Sequence, residues 1–127
     1  MLIKELEEKS GLSRDTIRYY EKIGLLEIKS SDRKENNYKS YTEAHLHRLL
    51  LIQEAKKMGV TLKQIGDYIK AWEEDSLTYD EKKWIFNSQL DHLNKRIETL
   101  QNLKAYVQRK LEKLEEGAPM KIETKVK

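Results

Sequence analysis

The stretch Ser10–Leu26, SGLSRDTIRYYEKIGLL, decides the fold. Gly11 suits a tight turn, and Ser13 stands where its hydroxyl can accept from the free backbone N–H groups at a helix start. The run therefore predicts a helix over Arg14–Lys22, with Gly24 as the glycine that commonly follows a helix end.

A second short helix is predicted immediately before this stretch, over Leu2–Lys9. Two short helices joined by a turn that contains glycine are the outline of a helix-turn-helix. Apolar side chains from both helices and the turn are available for a small shared core. They are Ile3, Leu6, Leu12, Ile17 and Tyr20.

The next segment, EIKSSDRKENNYKSY over residues 27–41, is polar at its centre and has strand-favouring residues at its flanks. Asn36 and Asn37 tolerate positive φ, so the segment can close as a β-hairpin wing beside the two helices. A solvated loop is the alternative. In either case we expect Tyr41 to pack underneath it.

Two further helices follow the wing segment. Thr42 opens the third helix, whose apolar residues lead to Gly59, and Thr61 with Gln64 forms the capping box of the fourth. The apolar residues of these helices are Leu46, Leu49, Leu50, Ile52 and Ala55 in the third and Leu62, Ile65, Ile69 and Trp72 in the fourth.

A long helix is predicted from about Tyr79 to Glu115, because Thr78 and Glu81 repeat the capping-box pattern and no breaker occurs before Gly117. Its apolar residues alternate at steps of four and three, which is the a/d pattern of a coiled coil. We name these positions the coil stripe: Phe86, Leu90, Leu93, Ile97, Leu100, Val107, Leu111 and Leu114, with Lys104 as the one departure. Such a helix would be roughly 55 Å long, too long for the small head to cover, so a second copy is the simplest partner.

The composition limits the classes of protein to which this chain can belong. The chain has 127 residues, 37% charged and 38% hydrophobic, with five Gly and one Pro, which indicates one small helical domain with little room for an elaborate enzyme. Cysteine is absent, which excludes disulfides and thiolate metal sites, and His45 and His47 point to different helix faces, so no metal site is expected. No apolar run suggests a membrane span, and a soluble cytoplasmic protein is expected.

At this point the residues resemble a known family. Ile3–Leu6 and Ser10–Leu26 closely resemble the N-terminal signature of MerR-family transcription regulators, and the T-I-R-Y-Y-E-x-I-G-L-L run is long and specific. Asn37–Tyr41 is similar to the family's wing motif G-Y-R-x-Y, and Lys57–Ile65 to its G-F-S-L-x-E-I turn. The likeness is strong over residues 1–72 and covers the long helix by architecture only. Asn37 and Lys39 depart from the wing motif.

The resemblance implies a mostly helical fold and a mode of action. Expected are a winged helix-turn-helix DNA-binding head with a short β-hairpin wing over residues 1–75, a dimerisation helix over 76–116 that forms an antiparallel coiled coil, and a flexible tail over 117–127. Family members act as homodimers that bend and untwist an overlong promoter spacer for RNA polymerase. The expected place of work is the bacterial cytoplasm, at the nucleoid.

The resemblance also implies which side chains meet DNA. The first turn of the recognition helix would face base edges, because the N-terminal end of a helix in the major groove comes closest to them. Other positions would hold phosphates, although Arg33 can equally be a solvated hairpin tip. The expected base-facing residues are Ser13, Arg14, Asp15 and Thr16, and the expected phosphate contacts are Arg18, Tyr19, Arg33, Tyr38, Lys39 and Lys56.

Trp72, Tyr79, Trp84 and Phe86 cluster where the head meets the long helix. They form either a plain hydrophobic junction or a small apolar pocket for an organic effector. No cofactor and no catalytic arrangement is expected. Two other functions compete with the promoter regulator: a phage or plasmid DNA-architecture factor, and a coiled-coil adaptor that docks another protein.

Overall fold

The computed structural model describes residues 1–29 and 40–117, and within these ranges the chain forms five helices and no strand. The helices are α1 (Ile3–Ser10), α2 (Arg14–Lys22), α3 (Glu43–Lys57), α4 (Leu62–Glu73) and α5 (Tyr79–Glu115). The expected β-hairpin wing falls mainly on residues 30–39, and most of the expected tail on 118–127. Both lie outside the described residues.

The turn between α1 and α2 follows the capping expected from the sequence. Gly11 ends α1 in the left-handed region at φ 73°. The Ser13 hydroxyl accepts from the backbone N–H of Thr16 at 3.2 Å and so caps α2. Because the turn is short and both helix ends are satisfied, the start of α2 is held in a defined position against α1.

Gly24 ends α2 as predicted and turns the chain back toward the core. The Gly24 N–H donates to the Glu21 carbonyl at 3.2 Å, and the Leu25 N–H donates to the Tyr20 carbonyl at 2.9 Å. This pair of bonds is the Schellman motif, which requires the φ of 83° that glycine adopts here. The turn places Leu25 and Leu26 in the core, where each is 2% exposed.

One hydrophobic core lies among the first four helices, with α1 packed on α2 and α3, and α3 packed on α4. The predicted core residues Leu6, Ile17 and Tyr20 are confirmed as buried, and Tyr41 is buried as well. Ile3 and Leu12 are partly buried against this core. The described core comprises Leu6, Ile17, Tyr20, Leu25, Leu26, Tyr41, Leu46, Leu49, Ile52 and Ile65.

Two of the apolar residues named in α3 and α4 lie largely outside the core. Leu50 is 37% exposed and Trp72 is 39% exposed. Leu50 follows the buried Leu49 directly, and successive residues of a helix point about 100° apart, so Leu50 is turned away from the middle of the face that Leu49 buries. Trp72 lies in the last turn of α4, and its ring contacts the side chain of Phe86.

Polar side chains tie α3 to the rest of the head. The amide of Gln53 donates to the carbonyl of the buried Ser10 at 2.7 Å, and the Ser10 hydroxyl accepts from the Leu12 N–H at 3.1 Å. The Tyr41 hydroxyl donates to Glu21 at 2.6 Å. Because these groups are partly or fully enclosed, each bond also avoids the cost of an unsatisfied polar atom.

The last three helices begin with side-chain caps. Thr61 with Gln64 and Thr78 with Glu81 form the two capping boxes predicted from the sequence. The N–H of Thr78 donates to the Glu81 carboxylate, and this bond lowers the pKa of Glu81. At α3 the third residue is His45, whose Nδ1 accepts from the Thr42 N–H at 2.9 Å.

The chain divides into two compact units, Met1–Phe86 and a second that begins at Asn87. No residue of α5 is buried, although the helix is continuous over 37 residues. Among the described residues, no helix is long and apolar enough to cross a membrane.

Candidate nucleic-acid interface

The first turn of α2 presents short polar side chains that also build its cap. The Ser13 and Thr16 hydroxyls lie 2.9 Å apart and hydrogen-bond each other, while Ser13 also accepts from the Thr16 N–H. Ser13 is therefore engaged within the helix start in this structure. Asp15 is exposed beside them, and its carboxylate suits the positive end of the helix.

Arg14 lies on the surface and pairs with α1. Its guanidinium nitrogen is 3.4 Å from the carboxylate of Glu7, and the Arg14 side chain is 45% exposed. An exposed ion pair of this kind contributes little stability, so little energy opposes exchange of the Glu7 carboxylate for another acceptor. The contact bridges the helix-turn-helix and holds the guanidinium at the N-terminal end of α2.

Arg18 and Tyr19 extend the exposed face of α2 beyond its first turn. Arg18 is one helical turn after Arg14, and Tyr19 is one turn after Asp15, so the four side chains share one side of the helix. Tyr19 is 51% exposed, whereas the adjacent Tyr20 is 2% exposed. One side of α2 therefore packs into the core, and the opposite side carries the guanidinium groups of Arg14 and Arg18 and the hydroxyl of Tyr19.

Tyr41 is buried in the core and forms a hydrogen bond with Glu21 of α2. Burial raises the pKa of the Tyr41 hydroxyl well above its ordinary value, and its hydrogen bond to Glu21 raises it further, while Arg18 and Arg14 oppose the shift. The hydroxyl is therefore protonated across the whole physiological range and acts as a donor. It fixes Glu21, near the C-terminal end of α2, against the segment that leads into α3.

A further basic group lies at the end of α3. Lys56 is exposed in the last turn, and its neighbour Lys57 forms an ion pair with Glu54 at 3.2 Å. The helix ends where Gly59 adopts φ 88° and Val60 donates to the Ala55 carbonyl. Arg33, Tyr38 and Lys39, the three wing residues expected to contact DNA, lie outside the described residues.

The aromatic residues expected at the junction between α4 and α5 are partly brought together. The rings of Trp72 and Phe86 meet edge to face with centroids 5.2 Å apart, and the Lys82 ammonium lies 5.3 Å from the Trp72 ring centroid. Lys82 also pairs with Asp75 at 3.1 Å. Tyr79 and Trp84 are 76% and 62% exposed.

The coil stripe of α5 is exposed along its length in the single chain. Leu93 is half-buried, and the other apolar members are 52–63% exposed. Leu103 and Tyr106 are also exposed and widen this apolar surface. Contiguous apolar surface of this kind on a folded chain marks an interaction site.

A metal site or a ligand-binding groove has little structural support in the described part of the chain. Over residues 1–29 and 40–117, no three His, Asp or Glu side chains gather so as to hold a metal ion. A groove of about 390 Å³ lies beside the start of α3, but its charged lining is mixed, with Lys29 and Arg48 against Glu27 and Glu73.

Sequence reasoning missed three contacts that shape this surface. The partners are Glu7 for Arg14, Glu21 for Tyr41 and Gln53 for the Ser10 carbonyl. Only the first carried a sequence signal, since Glu7 and Arg14 are opposite charges on either side of a short turn. The other two join residues 20 and 43 positions apart, and nothing in local spacing indicates them.

Comparison with known proteins covers both the head and α5. A family described as MerR HTH family regulatory protein matches residues 1–72, and one described as MerR, DNA binding matches residues 46–110. An uncharacterised HTH-type transcriptional regulator of Pseudomonas aeruginosa is 32% identical over 108 residues, which is 85% of this chain and 80% of that protein. The HTH-type transcriptional regulator ZntR of Escherichia coli is 33% identical over 108 residues, covering 84% and 75% of the two chains.

Solved structures agree with these sequence matches. The crystal structure of HiNmlR, a MerR family regulator lacking the sensor domain and bound to promoter DNA, superposes with a TM-score of 0.60. It shares 26% identity, and the match covers 93% of this chain and 91% of the other. The similarity therefore extends over nearly the whole chain.

Proposed function

Because the chain belongs to the MerR family of HTH regulatory proteins and is a DNA-binding transcriptional regulator of that type, we propose that it acts as a homodimer which bends and untwists promoter DNA. One observation carries this proposal: α2 buries Ile17 and Tyr20 and presents Arg14, Arg18 and Tyr19 on its other side. A helix anchored in this way can enter the major groove with its polar side against DNA.

The side chains divide by what they would contact. Arg14 at the start of α2 forks onto guanine O6 and N7, and Asp15 accepts from a cytosine amine. Ser13 and Thr16 contact bases or their backbone from the same turn. Phosphate contacts come from residues further along α2, the wing and the end of α3, which position the protein without choosing sequence. These are Arg18, Tyr19, Arg33, Tyr38, Lys39 and Lys56.

Dimerisation follows from the exposed coil stripe of α5. Half-exposed Leu, Ile, Val and Phe side chains repeat along the helix, and burying them against a second copy removes apolar surface from water. A two-fold dimer presents two recognition helices, so it requires a DNA site with two-fold symmetry. Dimerisation also doubles the DNA-facing side chains of a protein whose net charge is only +3 per chain.

The proposed partner at the remodelled promoter is RNA polymerase. The proposed location of the protein is the nucleoid in the bacterial cytoplasm. We assign 1–75 to DNA binding, 76–116 to dimerisation and 117–127 to a flexible tail. The relatives described above are transcription regulators. The comparisons give no support to the DNA-architecture factor or to the coiled-coil adaptor.

Two arginine substitutions test the division of roles on α2. We expect Arg18→Ala to weaken binding to all DNA sequences and to reduce the slope of log affinity against log salt by about one, because one phosphate partner is removed. We expect Arg14→Ala to cost about 1–3 kcal/mol at its preferred base and to relax sequence preference there. The measurement is a gel shift on the region upstream of the protein's own gene, at several salt concentrations.

The matched control is Arg109→Ala, which removes the same charge from an exposed position of α5. It should leave both sequence preference and salt slope unchanged. Equal effects of Arg14→Ala and Arg18→Ala on every sequence would contradict the assigned roles. Absence of salt-sensitive, sequence-preferring binding by the unaltered protein would contradict the proposed promoter activity itself.

We also propose that the junction of Trp72, Tyr79, Trp84 and Phe86 receives a small organic effector. The Trp72 and Phe86 rings already meet edge to face, which supports a ligand that offers apolar surface. Such a ligand should change the tryptophan emission at micromolar to millimolar concentration. An emission spectrum that stays constant across hydrophobic amines, aldehydes and dyes would remove this proposal.

A further inference from the structure

The charged and amide side chains that flank the coil stripe restrict how two copies of α5 can pair. With Leu90, Ile97 and Lys104 at a positions and Leu93 and Leu100 at d positions, the flanking e and g positions are determined. Within the coil stripe, between Phe86 and Leu114, the e positions are all amides, Asn87, Asn94, Gln101 and Gln108, and we call them the amide line. The g positions are Gln89, Arg96, Leu103 and Lys110.

Lys104 decides the direction of pairing. In a parallel dimer the two Lys104 side chains would face each other within one a layer, where two ammonium groups repel and lose their water. In an antiparallel dimer each a residue faces a d residue of the partner, so Lys104 faces an apolar side chain. Its long stem can cover that side chain while the ammonium reaches solvent.

Three antiparallel alignments cover most of the stripe, and they differ by one heptad. Their central layers pair Leu93 with the partner's Ile97, Ile97 with the partner's Leu100, or Leu100 with the partner's Lys104. Since e faces e and g faces g across an antiparallel interface, each alignment brings a different set of flanking charges together.

The two outer alignments place like charges opposite each other. When Leu93 faces the partner's Ile97, Arg96 meets the partner's Arg96 at the two-fold axis. When Leu100 faces the partner's Lys104, Arg96 meets the partner's Lys110 twice. The two Lys104 side chains are then also only four residues apart along the axis, about 6 Å at 1.5 Å per residue.

The central alignment avoids every one of these repulsions. Arg96 faces the partner's Leu103 and Lys110 faces the partner's Gln89, while the two Lys104 side chains lie 11 residues apart along the axis, about 16 Å. The amide line then pairs with itself, Asn94 with the partner's Gln101 and Asn87 with the partner's Gln108. Each amide has both a donor and an acceptor, so these pairs can hydrogen-bond in either order.

We propose that a second copy of this chain docks on α5 in the single alignment that places Ile97 opposite the partner's Leu100. The g-position charges exclude the neighbouring alignments, and the amide line lies on both sides of the two-fold axis. This inference rests on the proposed homodimer and adds its register, which determines how far apart the two recognition helices are held.

Cysteine cross-linking tests the register directly, because the chain has no cysteine of its own. Asn94→Cys and Gln101→Cys alter two exposed amide-line positions. The two full-length variants are co-expressed with tags of different size and then oxidised. In the proposed alignment the thiol introduced at position 94 faces the thiol introduced at position 101 of the other chain. We therefore expect the mixed disulfide to form at least about tenfold faster than either homodimeric disulfide.

Each competing alignment gives a different band on the gel. Asn94→Cys alone would cross-link to itself if Leu93 faced the partner's Ile97, and Gln101→Cys alone would do so if Leu100 faced the partner's Lys104. Either result would overturn the proposal. In the proposed alignment equal positions are seven residues, about 10 Å, apart along the axis, beyond the roughly 7 Å Cα separation that a disulfide spans.

Control measurements distinguish a dimer with a different alignment from a protein that does not dimerise. Lys95→Cys lies at the outward f position and should not cross-link, and circular dichroism checks that each variant is folded. Sedimentation and a gel shift are run on the same variants. Monomers by sedimentation would contradict the dimer and the register together, whereas DNA-binding dimers with either homodimeric disulfide would overturn the register alone.

Discussion

Tyr19 and Tyr20 are adjacent residues of the same type, but the structure uses them differently. Tyr20 is in the core and Tyr19 is half exposed on the proposed DNA-facing side of α2. The 3.6-residue period predicts which of two neighbours faces inward, because Tyr20 is three residues after the buried Ile17. Helical spacing therefore predicted the burial of these side chains, but it could not identify the hydrogen-bond partner of Tyr41.

Substitution of Tyr41 by Phe should change both stability and its pH dependence. Removal of the hydroxyl bond to Glu21 should cost about 1 kcal/mol at neutral pH. Because the pKa of Tyr41 is raised in the folded state, its contribution is fully present below the ordinary tyrosine pKa of about 10 and is lost as the pH rises above that value.

Urea unfolding at pH 8 and at pH 11 checks this expectation. The unaltered protein should lose more unfolding free energy over this interval than Tyr41→Phe, with lysine and the other tyrosines contributing equally to both. Tyr19→Phe is the matched control, since it removes a hydroxyl from an exposed ring and should behave like the unaltered protein. Equal losses in Tyr41→Phe and the unaltered protein would contradict the raised pKa that burial and the Glu21 hydrogen bond give Tyr41.

Helix ends were predicted better than any other feature at the scale of elements. Ser13, Thr61 and Thr78 cap their helices as expected, because a hydroxyl at the N-cap accepts from a backbone N–H three residues later through local geometry alone. At Thr61 and Thr78, an amide or a carboxylate three residues later completes the capping box. The end of α4 was not predicted. There Asp75 adopts φ 53°, and the Ser76 N–H donates to the Ala71 carbonyl at 2.9 Å.

Asp75 thus occupies a position that glycine usually takes. Substitutions of Asp75 should distinguish the free-energy cost of its left-handed backbone from the contribution of its ion pair. A left-handed conformation costs a non-glycine residue about 1–2 kcal/mol, and an exposed ion pair such as Asp75–Lys82 contributes under about 1 kcal/mol. We expect Asp75→Gly to unfold at an equal or higher temperature than the unaltered protein. Asp75→Ala should unfold at a lower temperature than both.

Thermal melts of these variants and of Asp75→Asn complete the test. Asn removes the charge but tolerates the left-handed region, so it should stay within a few degrees of the unaltered protein. If Asp75→Asn and Asp75→Ala were destabilised equally, the ion pair rather than the backbone would determine the stability of this turn.

At the scale of the whole molecule, the two units differ in what stabilises them. The head encloses a core of apolar side chains, whereas α5 contributes no buried residue to the single chain. Heptad spacing predicted the length of α5 because a 3.5-residue pattern is local. For the wing segment the residues allowed both a hairpin and a loop, because they show no periodicity that separates the two.

Lys104 should limit the stability of the assembled dimer. Lys104→Leu replaces a charged residue in the coil stripe with an apolar one, and each buried Leu side chain contributes about 1.5–3 kcal/mol relative to exposure. With two such side chains in each dimer, we expect the dimer dissociation constant to fall by at least about tenfold. Sedimentation equilibrium measures this constant.

Lys95→Leu is the matched control, because it makes the same change on the outward side of α5 and should leave the dissociation constant nearly unchanged. Removal of the Lys104 charge should also weaken the preference for antiparallel pairing. In the antiparallel dimer the two Leu90 positions are 17 residues, about 25 Å, apart along the axis. A parallel cross-link between two chains that carry Leu90→Cys should therefore appear in the Lys104→Leu background only. A Lys104→Leu dimer weaker than the unaltered one would place Lys104 in a favourable contact instead.

The exposure of the coil stripe in the single chain also bears on how much of this regulator a cell retains. An unpaired protomer displays a long row of leucine, isoleucine and valine side chains, the kind of surface that chaperones and proteases recognise. Pairing hides that surface, so we expect the unpaired chain to be degraded faster than the paired one. Turnover would then remove half-assembled regulator before it occupies single half-sites on the chromosome.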